Sequence, residues 1–475
     1  MRCRAFNGWS VGLLTAVVLL GTVSVAPAQV TTPTSTTGTT GTTSSVSTPS
    51  FALQSGIAID ANGVLRLQTA SDPGGQLMRE RIAAAKASLS PRLRAYSRLR
   101  KISLNRLERA VIDHQGALTD EMRYLAGLLR VRYVFFYPET KDIVLAGPAE
   151  GWAVSPVGRV VGINTGQPVV QLQDLVAALR AYPPKGSGVS LIGCSIDPTP
   201  EGLAAMQRFL RYTGSLATPN DTQYIVNGLR TSLGYQKVSI NGISPKTHFA
   251  QVMVEADYRM KLIGIGLEQP PVRLISYVDR ARPSDVGRNA LQRWYFVPNY
   301  QCVRVADDEL SMELVGDGVK LVGADEMVTS GGERHAANRP NRASRAFVLA
   351  FTKQYPELAA RSPVYAELRN LIDLAIAAAY IHQQEYYAKA GWAMDYFGSE
   401  QAFSIETYNV PQTVETAVNA IWKGHTLMTP VGGGVTIEPV QALDIDNLLH
   451  DDQGSVTRLR QTAAPKLNDG QWWWD

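Results

Sequence analysis

The sequence predicts an α+β protein, a mixed α/β chain with a central sheet and flanking helices, a β-rich middle segment and a C-terminal helical region. Three observations carry that reading. Residues 133–137 and 143–146 are β-forming apolar runs around the polar turn Pro138-Glu139-Thr140-Lys141-Asp142, a hairpin signature. Leu172, Leu175, Val176 and Leu179 recur on one helical stripe between residues 170 and 182. Residues 363–387 are Ala-rich, and Leu368, Leu371, Ile372, Ala375, Ile376 and Ala379 make a broad apolar stripe.

The N-terminus reads as a targeting signal. Arg2 and Arg4 precede an apolar run at 11–25, too short for a bilayer span, and Ala26-Pro27-Ala28 fits the small-x-small cleavage rule. This predicts a signal peptide (1–28), cut between Ala28 and Gln29, and an extracytoplasmic mature chain in the periplasm or secreted. Residues 29–50, almost pure Thr and Ser with Gly and Pro, predict a disordered linker, because no apolar face offsets the entropy of ordering them. The chain has 46 basic and 42 acidic residues, and losing Arg2 and Arg4 leaves 44 against 42. That balance gives no reason to expect nucleic acid as a partner. No later apolar run approaches ~18 residues free of charge, so no transmembrane segment is expected in the mature chain.

The remaining chain divides into an N-terminal helical region (51–130), a strand/helix domain (131–215), a β-rich domain (216–330), a helical C-terminal region (331–455) and a tail (456–475). Within the first, Asn62-Gly63 turns a small hairpin. Residues 76–115 show a helical period, with a restart at Pro91 capped by Ser90, and a further helix runs from a Thr119 cap to residue 129. In the second, Arg159-Val160-Val161-Gly162-Ile163 and 188–196 read as strands and 200–212 as a helix. In the third, 221–233 is a helix, 237–243 an edge strand, and 248–257 a long strand, because Val252, Val254 and Ala256 alternate with Met253, Glu255 and Asp257. Residues 294–297, 301–305, 310–315 and 319–322 complete its strands. In the C-terminal region, 329–341 is a loop and 344–355 a helix before the Ala-rich one. Trp472-Trp473-Trp474 closes the tail.

Chemical motifs are few. Asp142, Glu150 and Trp152 flank the central hairpin and are the binding candidates, with turn capping as the plainer role for both carboxylates. Gly193-Cys194-Ser195 places a thiol at a strand end with no base visible nearby. Cys194 and Cys302 make either one disulfide or two buried thiols. His382 and Glu385 share a helical step, Asp307-Asp308-Glu309 reads as a charged hairpin turn, and Gly432-Gly433-Gly434 as a flexible turn. The six histidines, His114, His248, His335, His382, His425 and His450, are scattered. Catalytic residues stay unknown, and no metal or cofactor is expected.

Asp142-Ile143-Val144-Leu145-Ala146-Gly147-Pro148-Ala149-Glu150-Gly151-Trp152 resembles an uncharacterised family of secreted proteins from planctomycete bacteria. So do Gly166-Gln167-Pro168 with the following helix, Cys194-Ser195-Ile196-Asp197-Pro198 and Arg293-Trp294-Tyr295-Phe296-Val297-Pro298. Glu313-Leu314-Val315-Gly316-Asp317-Gly318-Val319 and Glu367-Leu368-Arg369-Asn370-Leu371 extend the similarity. The resemblance implies a bacterial, exported protein, and it assigns no activity and no catalytic residue. The expected function is therefore a non-enzymatic binding or structural protein of the cell envelope, its partner an envelope polymer or a protein. The alternative is an extracytoplasmic peptide or glycan hydrolase with a site assembled from distant residues.

Overall fold

A computed structural model describes residues 54–213, 218–282, 290–328, 334–336, 341–419, 421–423, 426–428, 434–451, 453–465 and 467–475. The expected leader with its Ala28/Gln29 cleavage point, the 29–50 linker, most of the 329–341 loop, Gly432-Gly433 and His425 lie outside the described residues.

The first elements are hairpin β1 (Gln54–Ile59) and β2 (Val64–Ala70), α1 (Gln76–Ser88), α2 (Pro91–Arg94), β3 (Ser97–Ser103), α3 (Leu104–Asp113) and α4 (Asp120–Arg123). Next come β4 (Tyr133–Tyr137), β5 (Asp142–Ala149), β6 (Trp152–Val154), β7 (Val160–Gly162), α5 (Leu172–Ala181) and β8 (Ile192–Asp197). They are followed by α6 (Pro200–Thr213), α7 (Thr222–Leu233), β9 (Tyr235–Asn241), α8 (His248–Gly264) and α9 (Tyr277–Arg280). Strands β10 (Ala290–Pro298), β11 (Val303–Val305), β12 (Ser311–Leu314), β13 (Val319–Val328) and β14 (Arg334–Ala336) lead to α10 (Arg342–Arg361), α11 (Pro363–Gln383) and α12 (Tyr386–Ala390). The chain ends with β15 (Thr413–Glu415), β16 (Ile421–Lys423), β17 (Thr426–Met428), β18 (Gly434–Ile437), α13 (Pro439–Ala442), β19 (Leu449–His450), α14 (Ser455–Thr462) and β20 (Trp473–Trp474).

The protein has an α+β fold built on two large mixed sheets. One has nine strands in the order β1-β2-β15-β9-β8-β18-β10-β13-β14, the other seven in the order β19-β11-β12-β4-β5-β3-β20. The segments told apart in the sequence share these sheets: the nine-stranded one draws on residues from Gln54 to Ile437, and all the described residues fall in one compact unit.

Helix α11 lies at the centre. Every residue from Val364 to Ile381 except Arg369 is buried, so the helix is enclosed on all sides and not along one stripe. Alanines at 375 and 377–379 let neighbouring elements approach closely. Phe296, Phe351, Tyr355 and Tyr365 interlock edge-to-face where β10 meets α10 and α11, with centroids 5.6–6.2 Å apart. Each such pair adds about 0.5–1.5 kcal/mol beyond burial.

The central hairpin forms as predicted, with Tyr137 opposite Asp142. Its strands are buried on both faces: Val134 and Phe136 join the main core, while Phe135 and Tyr137 join a second cluster with Val456, Ala463 and Trp474. That second cluster corrects the tail. Residues 456–475 form α14 and β20, which pairs with β3 (Trp473 opposite Ile102), and Trp472, Trp473 and Trp474 are all buried. Trp473 lies under the guanidinium groups of Arg92 and Arg100, 4.3 and 4.6 Å from its ring centroid. An uncovered sheet face of that size would be a cohesive patch, so the Trp residues serve as its lid.

Three further expectations change. Residues 248–257 are helical: Thr247 Oγ1 caps the helix by accepting from Ala250 N, and the burial of every residue from 252 to 257 makes the alternating pattern uninformative. The helical period gives way across 97–103 to β3, whose pairing with β5 and β20 overrides local preference. Strand β9 sits inside its sheet between β15 and β8, not at an edge. The Ser90 and Thr119 caps do form, accepting from Leu93 N and Met122 N, but α4 stops at Arg123 because Leu125 and Ala126 turn to positive φ.

Candidate functional site

The hairpin residues do not converge. Asp142 and Glu150 bracket the eight-residue β5, about 24 Å of extended chain. Asp142 accepts from Ser103 Oγ at 2.6 Å and from Arg106 Nε at 2.8 Å. Glu150 accepts from Asn164 Nδ2 at 2.7 Å and from Thr165 N and Oγ1 at 2.9 and 2.6 Å. Gly162 is needed for that close approach, since a Cβ there would stand 1.9 Å from Glu150 Oε1. Both carboxylates tie turns, and Trp152 packs edge-on against Tyr124.

The other candidates are also committed to structure. Cys194 and Cys302 are both free and buried, the first on β8 and the second preceding β11. Burial pushes both thiols up, Cys302 to about 12, so neither is a nucleophile near neutrality. His382 Nδ1 contacts the Pro183 carbonyl at 2.9 Å and His114 Nδ1 that of Ala110 at 2.7 Å. Asp307-Asp308-Glu309 is the β11–β12 turn, held where Arg460 meets Asp308 at 2.8 Å. Among the described residues, no group of three or more His, Cys, Asp or Glu is placed to hold a metal ion.

Among the described residues, the one histidine that meets a carboxylate is His248. As the first residue of α8, its Nδ1 lies 2.9 Å from Asp174 Oδ2 on the first turn of α5. His248 lines a cleft of about 840 Å³, within the range of ligand pockets, and Asp174 is buried behind it. One wall is Gly56 and Ile57 of β1, another the first turns of α5 and α8, and a third the loop after α12.

That loop is clamped at both polarities. The buried Glu108 carboxylate accepts from Tyr396 N at 3.0 Å, Phe397 N at 2.7 Å and Trp392 Nε1. Arg180 of α5 donates to the carbonyls of Phe397, Ser399 and Phe403 at 2.7, 3.2 and 2.5 Å. The loop thereby presents Tyr396 and Tyr408 at fixed positions. Tyr408 donates to Gln173 Oε1 and accepts from its Nε2 at 3.0 Å, and its ring stands 5.9 Å from that of His248.

Beneath the pair lies a chain of buried charges. Arg159, 10% exposed, donates to Glu255 at 2.5 Å and also to Glu367 on α11. Arg259 reaches Glu255 at 3.5 Å and Glu268 at 2.7 Å. All these carboxylates have a cation, which is what makes their burial tolerable. Burial raises the Glu367 carboxyl, opposed by Arg159 and His248.

For His248, burial opposes the charge, but the Asp174 carboxylate outweighs it and pushes the imidazole up to about 9. The contact therefore favours the imidazolium form of the ring. Nδ1 donates to Asp174, and Nε2 is a second donor with no hydrogen-bond partner among the described residues. Around it the cleft offers amides (Gln171, Gln173, Gln251) and phenols (Tyr124, Tyr396, Tyr408). The same lining carries charged groups, Arg123, Arg159, Glu255 and Glu406, so a ligand meets neutral hydrogen-bonding groups and both signs of charge.

Sequence reasoning missed this pair. Its partners lie 74 positions apart, on a helix whose apolar stripe alone the pattern reveals and on a segment that reads as a strand. The Thr247 cap was the available signal, since a helix starting there puts His248, Gln251, Val252 and Glu255 on one face.

No curated protein and no solved structure matches the chain. Residues 194–277 match a family described as "Protein of unknown function (DUF1598)", a stretch that runs from β8 through α8 and includes His248 and Glu255.

Proposed function

We propose that this is an exported protein of a planctomycete cell envelope that binds its ligand, without turnover, in the cleft over His248. The carrying observation is the Asp174–His248 contact at 2.9 Å, which keeps the imidazole at the cleft protonated. A protonated ring is a hydrogen-bond donor and has no lone pair with which to act as a general base. The fixed amides and phenols around it are a preorganised binding surface. Export is supported by Arg2, Arg4, the 11–25 apolar run and Ala26-Pro27-Ala28, and by the Thr/Ser tract that follows. Among the described residues no helix is long and apolar enough to cross a membrane. The bacterial source rests on the family resemblance.

The test is to incubate purified protein with peptide and glycan libraries, reading binding and product formation together. Retention of ligand with no product, and loss of retention in His248→Ala, is the expected outcome. Turnover that His248→Ala abolishes would replace this reading with the hydrolase one. That second reading rests on the same Asp–His pair, which orients an imidazole as it does in acyl-transfer sites. It requires the neutral ring, and so activity that rises toward pH 9.

A further inference from the structure

Strand β1 is an edge of the nine-stranded sheet: among the described residues it pairs only with β2. The hairpin register settles which backbone groups face outward. Asp60 N donates to Val64 O at 3.1 Å and Asp60 O accepts from Gly63 N at 2.9 Å, with Gly63 at φ +75°. Asp60 and Val64 are thus a hydrogen-bonded pair, and in an antiparallel ladder such pairs alternate. Ala58–Arg66 is the next, which leaves Ile57 and Ile59 directed away from β2. An independent contact agrees: Ile59 O accepts from Asn409 Nδ2 at 3.1 Å on that outer side. The Ile57 N–H and C=O have no partner among the described residues, and Ile57 lines the cleft.

We infer that an extended segment of a partner polypeptide binds in this cleft by adding a strand to the free edge of β1. The inference rests on the cleft being a binding site, as proposed above, and names the class of its ligand. The Ile59 carbonyl is already held by Asn409, but the outward N–H and C=O groups of Ser55 and Ile57, roughly 7 Å apart, match the backbone of another strand. A sugar polymer carries no repeating donor–acceptor pair at that spacing. Across the cleft, His248 Nε2–H and the side chains of Gln173 and Tyr408 supply donors and acceptors for the segment's far edge and polar side chains. Long edges left open invite self-association, and β1 has six residues with only part of that edge walled by the cleft.

The test uses a display library of ten-residue linear peptides panned on the purified chain. The best binder is then synthesised plain and with alternate amides N-methylated. Ile57→Pro removes the outward donor and breaks no bond to β2, whereas Ile57→Ala trims the side chain and keeps the donor. The expected result is micromolar binding, within about threefold in Ile57→Ala, weakened at least tenfold in Ile57→Pro and likewise for the peptide methylated in the pairing register. The methylated peptide decides the matter on unaltered protein should Ile57→Pro fold poorly. Equal binding by Ile57→Pro and by both methylated peptides overturns strand addition but leaves the cleft reading standing. A bound glycan with no bound peptide does the same. A dimer that dissociates in Ile57→Pro overturns it by giving the edge to a second copy. No ligand of any class overturns both readings.

Discussion

Asp174 on the first turn of α5 and His248 on the first turn of α8 meet at 2.9 Å, joining two helices whose sequences lie 74 positions apart. The contact fixes a cation at the floor of the cleft. Its folded-state value of about 9 lies above the ordinary 6.5 of an unfolded histidine. Protons therefore bind the folded state more tightly, and the stabilisation is complete below pH 6.5 and lost as pH rises through 9.

Urea unfolding at pH 6 and pH 9.5 measures this directly. Wild type should lose about 2–3 kcal/mol more than His248→Gln between the two values. Parallel losses in both proteins would show that the pair contributes nothing.

Arg159 gives a second prediction. In Arg159→Met, Glu255 keeps Arg259 but Glu367 loses its only ion-pair partner among the described residues. The substitution should cost about 3–5 kcal/mol. Because the stranded carboxyl takes a proton more readily folded than unfolded, the deficit should shrink as pH falls toward 5. A pH-independent loss under 1 kcal/mol would contradict this.

The closing strand supplies a third. Trp474 belongs to the buried cluster of Phe135, Tyr137 and Val144 and donates to the Ala463 carbonyl at 3.3 Å. Trp474→Ala should cost about 3–5 kcal/mol in chemical denaturation, where a substitution in an exposed tail would change stability by under ~0.5 kcal/mol.

How much of this was legible varies with the length of the contacts involved. The hairpin Tyr133–Tyr137/Asp142–Ala149, the Ser90 and Thr119 caps and the α5 and α11 patterns are local, and local chemistry announced them. The strand misread in 248–257 and the helix misread near Leu99 share a cause: both segments are enclosed by distant partners, so periodicity reports no single face. The Trp residues looked like a tail because the sheet face they cover is over 300 positions away. The cleft was invisible for the same reason. Asp174 and His248 each lack any local partner, and the clamps that shape the wall, Glu108 and Arg180, are acid and base in otherwise ordinary helices.

The cysteines give a fourth prediction. With both thiols free and buried, a thiol reagent should modify Cys194 and Cys302 only as fast as the protein unfolds. Both should react at once in denaturant without reductant. A peptide joined through Cys194 and Cys302 in a non-reducing digest would contradict the structure.

The most direct test of the account is the NMR titration of the His248 ring, assigned by its loss in His248→Gln. The account predicts a midpoint near 9, with both ring nitrogens protonated at pH 7. A midpoint near the ordinary 6.5 would put a neutral base at the cleft and contradict a non-catalytic role.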